Sequence, residues 1–98
     1  MDISKQSKNG TLTLKVSGRI DTVTAPDFEN YVNRWLYGIN VLVLDFSNVN
    51  YISSAGLRVL LTLQKKMLKQ GEMRIVNVNE TVLVVFQVTG FDELLTIE

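Results

Sequence analysis

Ninety-eight residues, 46% of them apolar and 20% charged, predict one packed domain over 1–98 and leave no room for a second, since domains cluster at roughly 100 to 150 residues. Ten Lys plus Arg balance ten Asp plus Glu, so the chain lacks the bulk positive field that drives non-specific binding to phosphate backbones, and no direct nucleic-acid partner is expected. The absence of His and Cys removes disulfides, thiolate nucleophiles, Ser-His-Asp triads and conventional zinc ligands, and with them most hydrolase mechanisms.

Met1-Asp2-Ile3-Ser4-Lys5 lacks the apolar core of a signal peptide, and no apolar run approaches the roughly 18 residues needed to span a bilayer. A soluble, cytoplasmic chain without membrane insertion is therefore expected. Thr11 to Val16 alternates polar and apolar residues at period two, the pattern of a half-buried strand. Asn9-Gly10 before it suits a type I′ turn, which pairs residues 2 to 8 antiparallel with that strand. Thr24-Ala25-Pro26-Asp27 opens a helix over about 25 to 37: Thr24 can cap it, Pro26 suits the first turn and Asp27 favours the positive dipole end. Phe28, Tyr31, Val32, Trp35 and Leu36 share one face, and Gly38 stops the pattern.

Val41 to Phe46 is almost continuously apolar, which predicts a strand buried on both faces at the centre of the sheet. A polar link, Ser47 to Ser53, leads to a helix over about 55 to 70. Leu57, Leu60, Leu61 and Leu68 lie on one face of it, Val59, Leu63 and Met67 widen that face, and Gly71 serves as C-terminal cap. Met73 to Val78 reads as a strand, Asn79 as the cap of a helix over 80 to 89 whose Val82, Val85, Phe86 and Thr89 share a face, and Leu94 to Ile97 as a short last strand. The order β-β-α-β-α-β-α-β predicts an α/β fold, a single mixed β-sheet with helices packed against it through right-handed crossovers.

In such folds ligands and partners meet the loops at the carboxyl ends of strands, where helix N-termini point outward. Two stretches qualify: Gly18 to Thr24, and the long hydroxyl-rich run from Asp45 to Arg58. Ser53-Ser54 stands where the second helix begins. One Ser can serve simply as an N-cap with Gly56 allowing close packing; alternatively one is a phosphoacceptor, since a phosphate there gains from the dipole and changes the surface by about −1.5 to −2 charges. Asp21 and Asp45, single and separated, read as turn or cap residues and not as metal ligands. Lys65, Lys66 and Lys69 read as a solvated helix face. No glycine-rich phosphate loop is present, so neither a nucleotide enzyme nor a cofactor is expected.

Ser17-Gly18-Arg19-Ile20-Asp21, Val43-Leu44-Asp45-Phe46-Ser47, Tyr51 to Leu61 and Val88 to Leu95, in this order and spacing, resemble the STAS family, the domain of anti-sigma factor antagonists and of sulfate-transporter tails. The resemblance implies a non-enzymatic regulatory protein of the bacterial cytoplasm. Its unphosphorylated form would bind an anti-sigma factor that is also a serine kinase of the GHKL type and so release a sigma factor; phosphorylation would end binding, and a PP2C-type phosphatase would restore it. The family's usual pattern at the second helix is an aromatic or apolar pair followed by Asp-Ser-Ser/Thr-Gly-Leu, with the first hydroxyl as acceptor. Aligning Gly56-Leu57 with its Gly-Leu implies Ser54 as acceptor, with Ser53, which replaces the usual Asp, as the alternative. The implied partner surface comprises Asp21, Thr22, Thr24, Ser53, Ser54, Gly56, Leu57 and Arg58. A STAS docking subunit of a membrane transporter or scaffold, not phosphorylated, is the other role the resemblance allows.

Overall fold

The computed structural model describes residues 1–98. Strand β1 (Asp2–Lys8) turns through Asn9 and Gly10 into β2 (Thr11–Ile20), and both turn residues hold positive φ, 52° and 82°, as a type I′ hairpin requires. Helix α1 (Ala25–Trp35) leads to β3 (Val41–Ile52), α2 (Ser54–Leu68) to β4 (Glu72–Val76), and α3 (Glu80–Thr89) to a single helical turn, α4 (Phe91–Leu94). The sheet has the order β1-β2-β3-β4, with β1 antiparallel to β2 and the remaining pairs parallel. The mixed α/β sheet expected from the sequence is present, and β3 lies inside it.

Alternation decides which side the helices cover. Leu12, Leu14 and Val16 of β2, Leu42, Leu44 and Phe46 of β3, and Met73 and Ile75 of β4 join Phe28, Val32, Leu60, Leu63, Met67, Val82 and Phe86 of the helices in one cluster of 24 buried apolar residues. On the opposite face Thr13, Val43 and Arg74 stand in register, as do Lys15, Asp45 and Val76, and none of these is buried. Strand β3 is thus buried on one face only, contrary to the expectation from its apolar run. Val41 and Val43 are half-covered by neighbouring side chains of a sheet that no helix shields on that side.

Several boundaries differ from the sequence reading for local reasons. The polar stretch after Phe46 is no loop: β3 continues to Ile52 along the second half of β2. Two register shifts, between Lys15 and Ser17 and between Gly18 and Arg19, each place an extra residue in β3. Burial there recurs at Phe46, Val49 and Ile52, so bulges replace the period of two by three and hide the strand. Leu68 is 70% exposed, and Met67 takes its place in the core. Trp35 lies at the rim, 39% exposed, with Lys5 Nζ 4.2 Å above its ring. The expected last strand is reduced to one parallel bridge, Ile75 to Ile97, because Phe91 to Leu94 coil first. No helix is long and apolar enough to cross a membrane.

Gly71 does not cap α2 through a left-handed conformation; Lys69 is the C-cap. The glycine is needed for space, since a Cβ there would sit 1.7 Å from the Asn40 carbonyl oxygen. That oxygen is also fixed by the Glu72 N–H at 2.9 Å, so the backbone has little freedom to withdraw. Gly71→Ala is expected to cost about 3 kcal/mol or more, at or beyond the upper end of ordinary overpacking, as read from urea unfolding.

Candidate functional site

The carboxyl ends of β2 and β3 finish side by side, with Ile20 paired to Ile52. One residue on, the Ser53 N–H donates to the Ile20 carbonyl at 2.8 Å, which fixes the start of α2 against the end of β2. Gly56 makes this approach possible. A Cβ at that position would lie 2.7 Å from Ile52 Cγ1, 2.8 Å from Ile20 Cγ2 and 3.1 Å from the Ile20 carbonyl oxygen. Gly56 and Leu57 are both buried, so of the residues expected on a partner surface these two support the site from beneath and offer little area to a partner.

The other half of the site is a tight turn built by Asp21. Its Oδ1 accepts the N–H groups of Val23 and Thr24, both at 3.0 Å. The Thr24 hydroxyl accepts the Asp21 N–H at 2.9 Å and donates to the Arg19 carbonyl at 2.7 Å. Thr24 therefore ties the turn together and makes no side-chain cap to α1, a difference from the expected capping role. Helix α1 begins instead on backbone bonds, from Ala25 N–H to the Asp21 carbonyl and from Phe28 N–H to the Thr24 carbonyl. The Thr24 N–H, followed by Val23, the Thr24 hydroxyl and the Arg19 cation, holds the Asp21 carboxyl below the ordinary aspartate value of 3.8 against some desolvation. Asp45 lies away from this site on the open sheet face. Burial raises its pKa, but hydrogen bonds from Ser47 and Asn77 and the charge of Lys15 outweigh that effect and hold it low.

At the head of α2 the two serines have different surroundings. Ser53 is the N-cap, in extended conformation, and its hydroxyl accepts the Gly56 N–H at 3.3 Å. Ser54 is the first helical residue and is exposed. No acid occupies the first turn. Thr22 and Arg58 meet across an open groove of about 340 Å³ between α1 and α2, lined also by Ala25, Ala55, Val59, Glu29 and Thr62. The structure thus brings the Asp21 turn, Ser53, Ser54 and Arg58 to one end of the molecule.

Sequence reasoning passes over three residues on this face. The Arg19 guanidinium lies 4.1 Å over the Tyr51 ring and 3.6 Å from Asp21 Oδ2, and Val23 is 79% exposed. Arg19 and Tyr51 become cross-strand partners only through the two bulges of β3, a register that no local pattern announces.

The Asp21 turn yields a pH-dependent test. A carboxyl with a lowered folded pKa adds stability that is complete above its unfolded value of about 3.9 and is lost as pH falls through the folded value. Stability of the parent chain, followed by urea unfolding from pH 7 downward, is expected to fall more steeply below about pH 4 than that of Asp21→Asn. Parallel curves would remove the carboxylate from the account of this turn.

The fold described above has counterparts among known proteins. Residues 2–98 match the model of the STAS domain. BtrV of Bordetella bronchiseptica, which carries the name of an anti-sigma factor antagonist, is 31% identical over 93 residues, covering 93% of this chain and 80% of that protein. The crystal structure of an anti-sigma factor antagonist from Mycobacterium paratuberculosis superimposes with a TM-score of 0.88 at 27% identity, over 98% of this chain and 83% of that one. Bacillus SpoIIAA in its phosphorylated form gives a TM-score of 0.74 at 14% identity, over 99% and 91% of the two chains, a likeness of fold alone. With nearly its whole length matched to the family model and to a relative above 30% identity, the chain belongs to the STAS domain family.

Proposed function

We propose that this chain is an anti-sigma factor antagonist of the cytoplasm. In its unphosphorylated state it binds an anti-sigma factor that is also a GHKL-type serine kinase, and thereby releases a sigma factor. The kinase phosphorylates Ser54, the complex separates, and a PP2C-type phosphatase resets the protein. The antagonist role is supported by the names of the relatives at 31% and 27% identity. The chain need catalyse nothing in this scheme; it presents a surface.

One observation carries the choice of acceptor. The Ser53 hydroxyl is occupied as the helix cap, whereas Ser54, one residue on, is exposed and has no hydrogen bond through its side chain to the rest of the protein. A kinase can approach the Ser54 oxygen without opening the fold, and a phosphate placed there leaves the cap, the Asp21 turn and the core in place. Ser53 remains the alternative acceptor, but its modification would dismantle the cap. The partner surface then consists of Asp21, Thr22, Thr24, Ser53, Ser54 and Arg58, with Gly56 and Leu57 holding it from below.

These roles separate in binding and melting experiments. Ser54→Ala should bind the cognate anti-sigma factor like the parent, because a neutral contact is kept. Ser54→Asp should melt normally yet bind at least about tenfold more weakly, a loss of about 1.4 kcal/mol, since an unpaired charge is carried into the interface. Ser53→Ala should instead cost about 0.5–2 kcal/mol of stability through the lost cap. After incubation with the kinase and ATP, mass spectrometry is expected to place phosphate on Ser54. Phosphate on Ser53, or equal binding by both Ser54 variants, contradicts the assignment.

A further inference from the structure

Arg58 is the one cation of α2 within reach of Ser54. The two residues stand four apart in the same helix, on adjacent turns of one face, where Cβ atoms are about 5–6 Å apart, and long side chains in helices lean back over the turn toward the N-terminus. The other cations of the helix and its C-cap, Lys65, Lys66 and Lys69, begin eleven residues on, about 16 Å along the axis. Arg58 is exposed and makes no ion pair: the two in the protein are Arg19 with Asp21 and Arg74 with Glu72. From Phe46 to Gly71 the chain contains no acid, so nothing on the helix competes for the guanidinium. Across the groove Glu29 of α1 shares the lining with it without forming an ion pair. Of the other cations at this end, Arg19 is occupied by Asp21 and the Tyr51 ring, and the Met1 ammonium lies beside Gly18 of β2.

We infer that Arg58 is the internal phosphate clamp of the switch: once Ser54 carries a phosphate, the Arg58 guanidinium turns from the α1–α2 groove onto it. This inference rests on Ser54 being the acceptor, as proposed above. Two parallel N–H donors of a guanidinium fit two phosphate oxygens, a geometry that a lysine cannot supply. Phosphorylation then changes the surface in two places at once. It adds negative charge at Ser54 and removes the only cation from the lining of the groove, so a partner that uses the groove loses a contact as well as meeting a repulsion. The clamp also favours the fully ionised phosphate, whose second pKa is near 6 when unperturbed.

The test installs phosphoserine at position 54 during translation, so that no kinase is needed and the outcome is independent of whether a kinase chooses Ser54. The second phosphate pKa is read from the pH dependence of the phosphorus resonance. It is expected to rise by about half a unit in Arg58→Gln, to rise less in Arg58→Lys, which keeps charge but not the paired donors, and to stay put in Lys65→Gln and Glu29→Gln. In the parent, the Arg58 Nε–H resonance should shift when Ser54 is replaced by phosphoserine. An unchanged pKa in Arg58→Gln overturns the clamp, as does an equal rise in Lys65→Gln, which would mark a general field of the helix. Phosphate found on another residue after kinase treatment contradicts the acceptor while leaving these resonance readings intact, so the two failures are distinguishable.

Discussion

The geometry of the site depends on the close approach of the start of α2 to the paired ends of β2 and β3. With Ile20 beside Ile52 and a Cβ excluded at Gly56 by contacts under 3 Å to both side chains, the helix settles directly on the strand ends. The Ser53 N–H then reaches the Ile20 carbonyl. The carbonyl ends Ile20 one residue before Asp21, so the same hydrogen bond that fixes the second helix also fixes where the Asp21 turn begins. The two halves of the candidate face are coupled through one backbone bond and one missing side chain.

That coupling would let the proposed phosphorylation change the charge of the surface without changing the fold. The hydrogen bonds that define the face are internal to it: Asp21 with Val23 and Thr24, Thr24 with Arg19, Ser53 with Gly56. None uses the Ser54 hydroxyl. A group added there meets solvent, the unpaired N–H groups of a helix start and a free guanidinium, all of which accommodate negative charge. The energetic consequence falls on whatever docks against the face, because a charge tolerated in water becomes expensive once water is displaced.

The opposite side of the sheet is organised on other terms. Helices cover one face only, and the uncovered face is kept in solution by Thr13, Lys15, Asp45, Glu72 and Arg74, with the half-covered valines Val41 and Val43 between them. One edge of the sheet is β1, whose residues are exposed except for Ile3. Lys5 and Lys8 on this strand provide the charge that discourages edge-to-edge pairing between molecules, and Lys5 is further held over Trp35.

Local pattern was sufficient wherever a residue's role is settled by its sequence neighbours. The Asn9-Gly10 turn, the cap at Asn79, the helical faces of α1 and α3 and the alternation of β2 are legible for this reason, since turn sterics, capping and periodicity act over a few residues. The serines at the head of α2 were legible as a pair by the same logic. Their different surroundings came from packing, because which hydroxyl caps and which faces solvent depends on the approach of the helix to Ile20 and Ile52. The extension of β3 to Ile52 was hidden by two bulges, whose extra residues are defined by a partner strand distant in sequence. Gly71 looked like a cap and proved to be a point of contact with Asn40, and the apolar run of β3 looked buried on both sides although helices cover one. In each case composition named the residue, and distant parts of the chain brought against it set its role, since steric exclusion and burial are properties of neighbours in space.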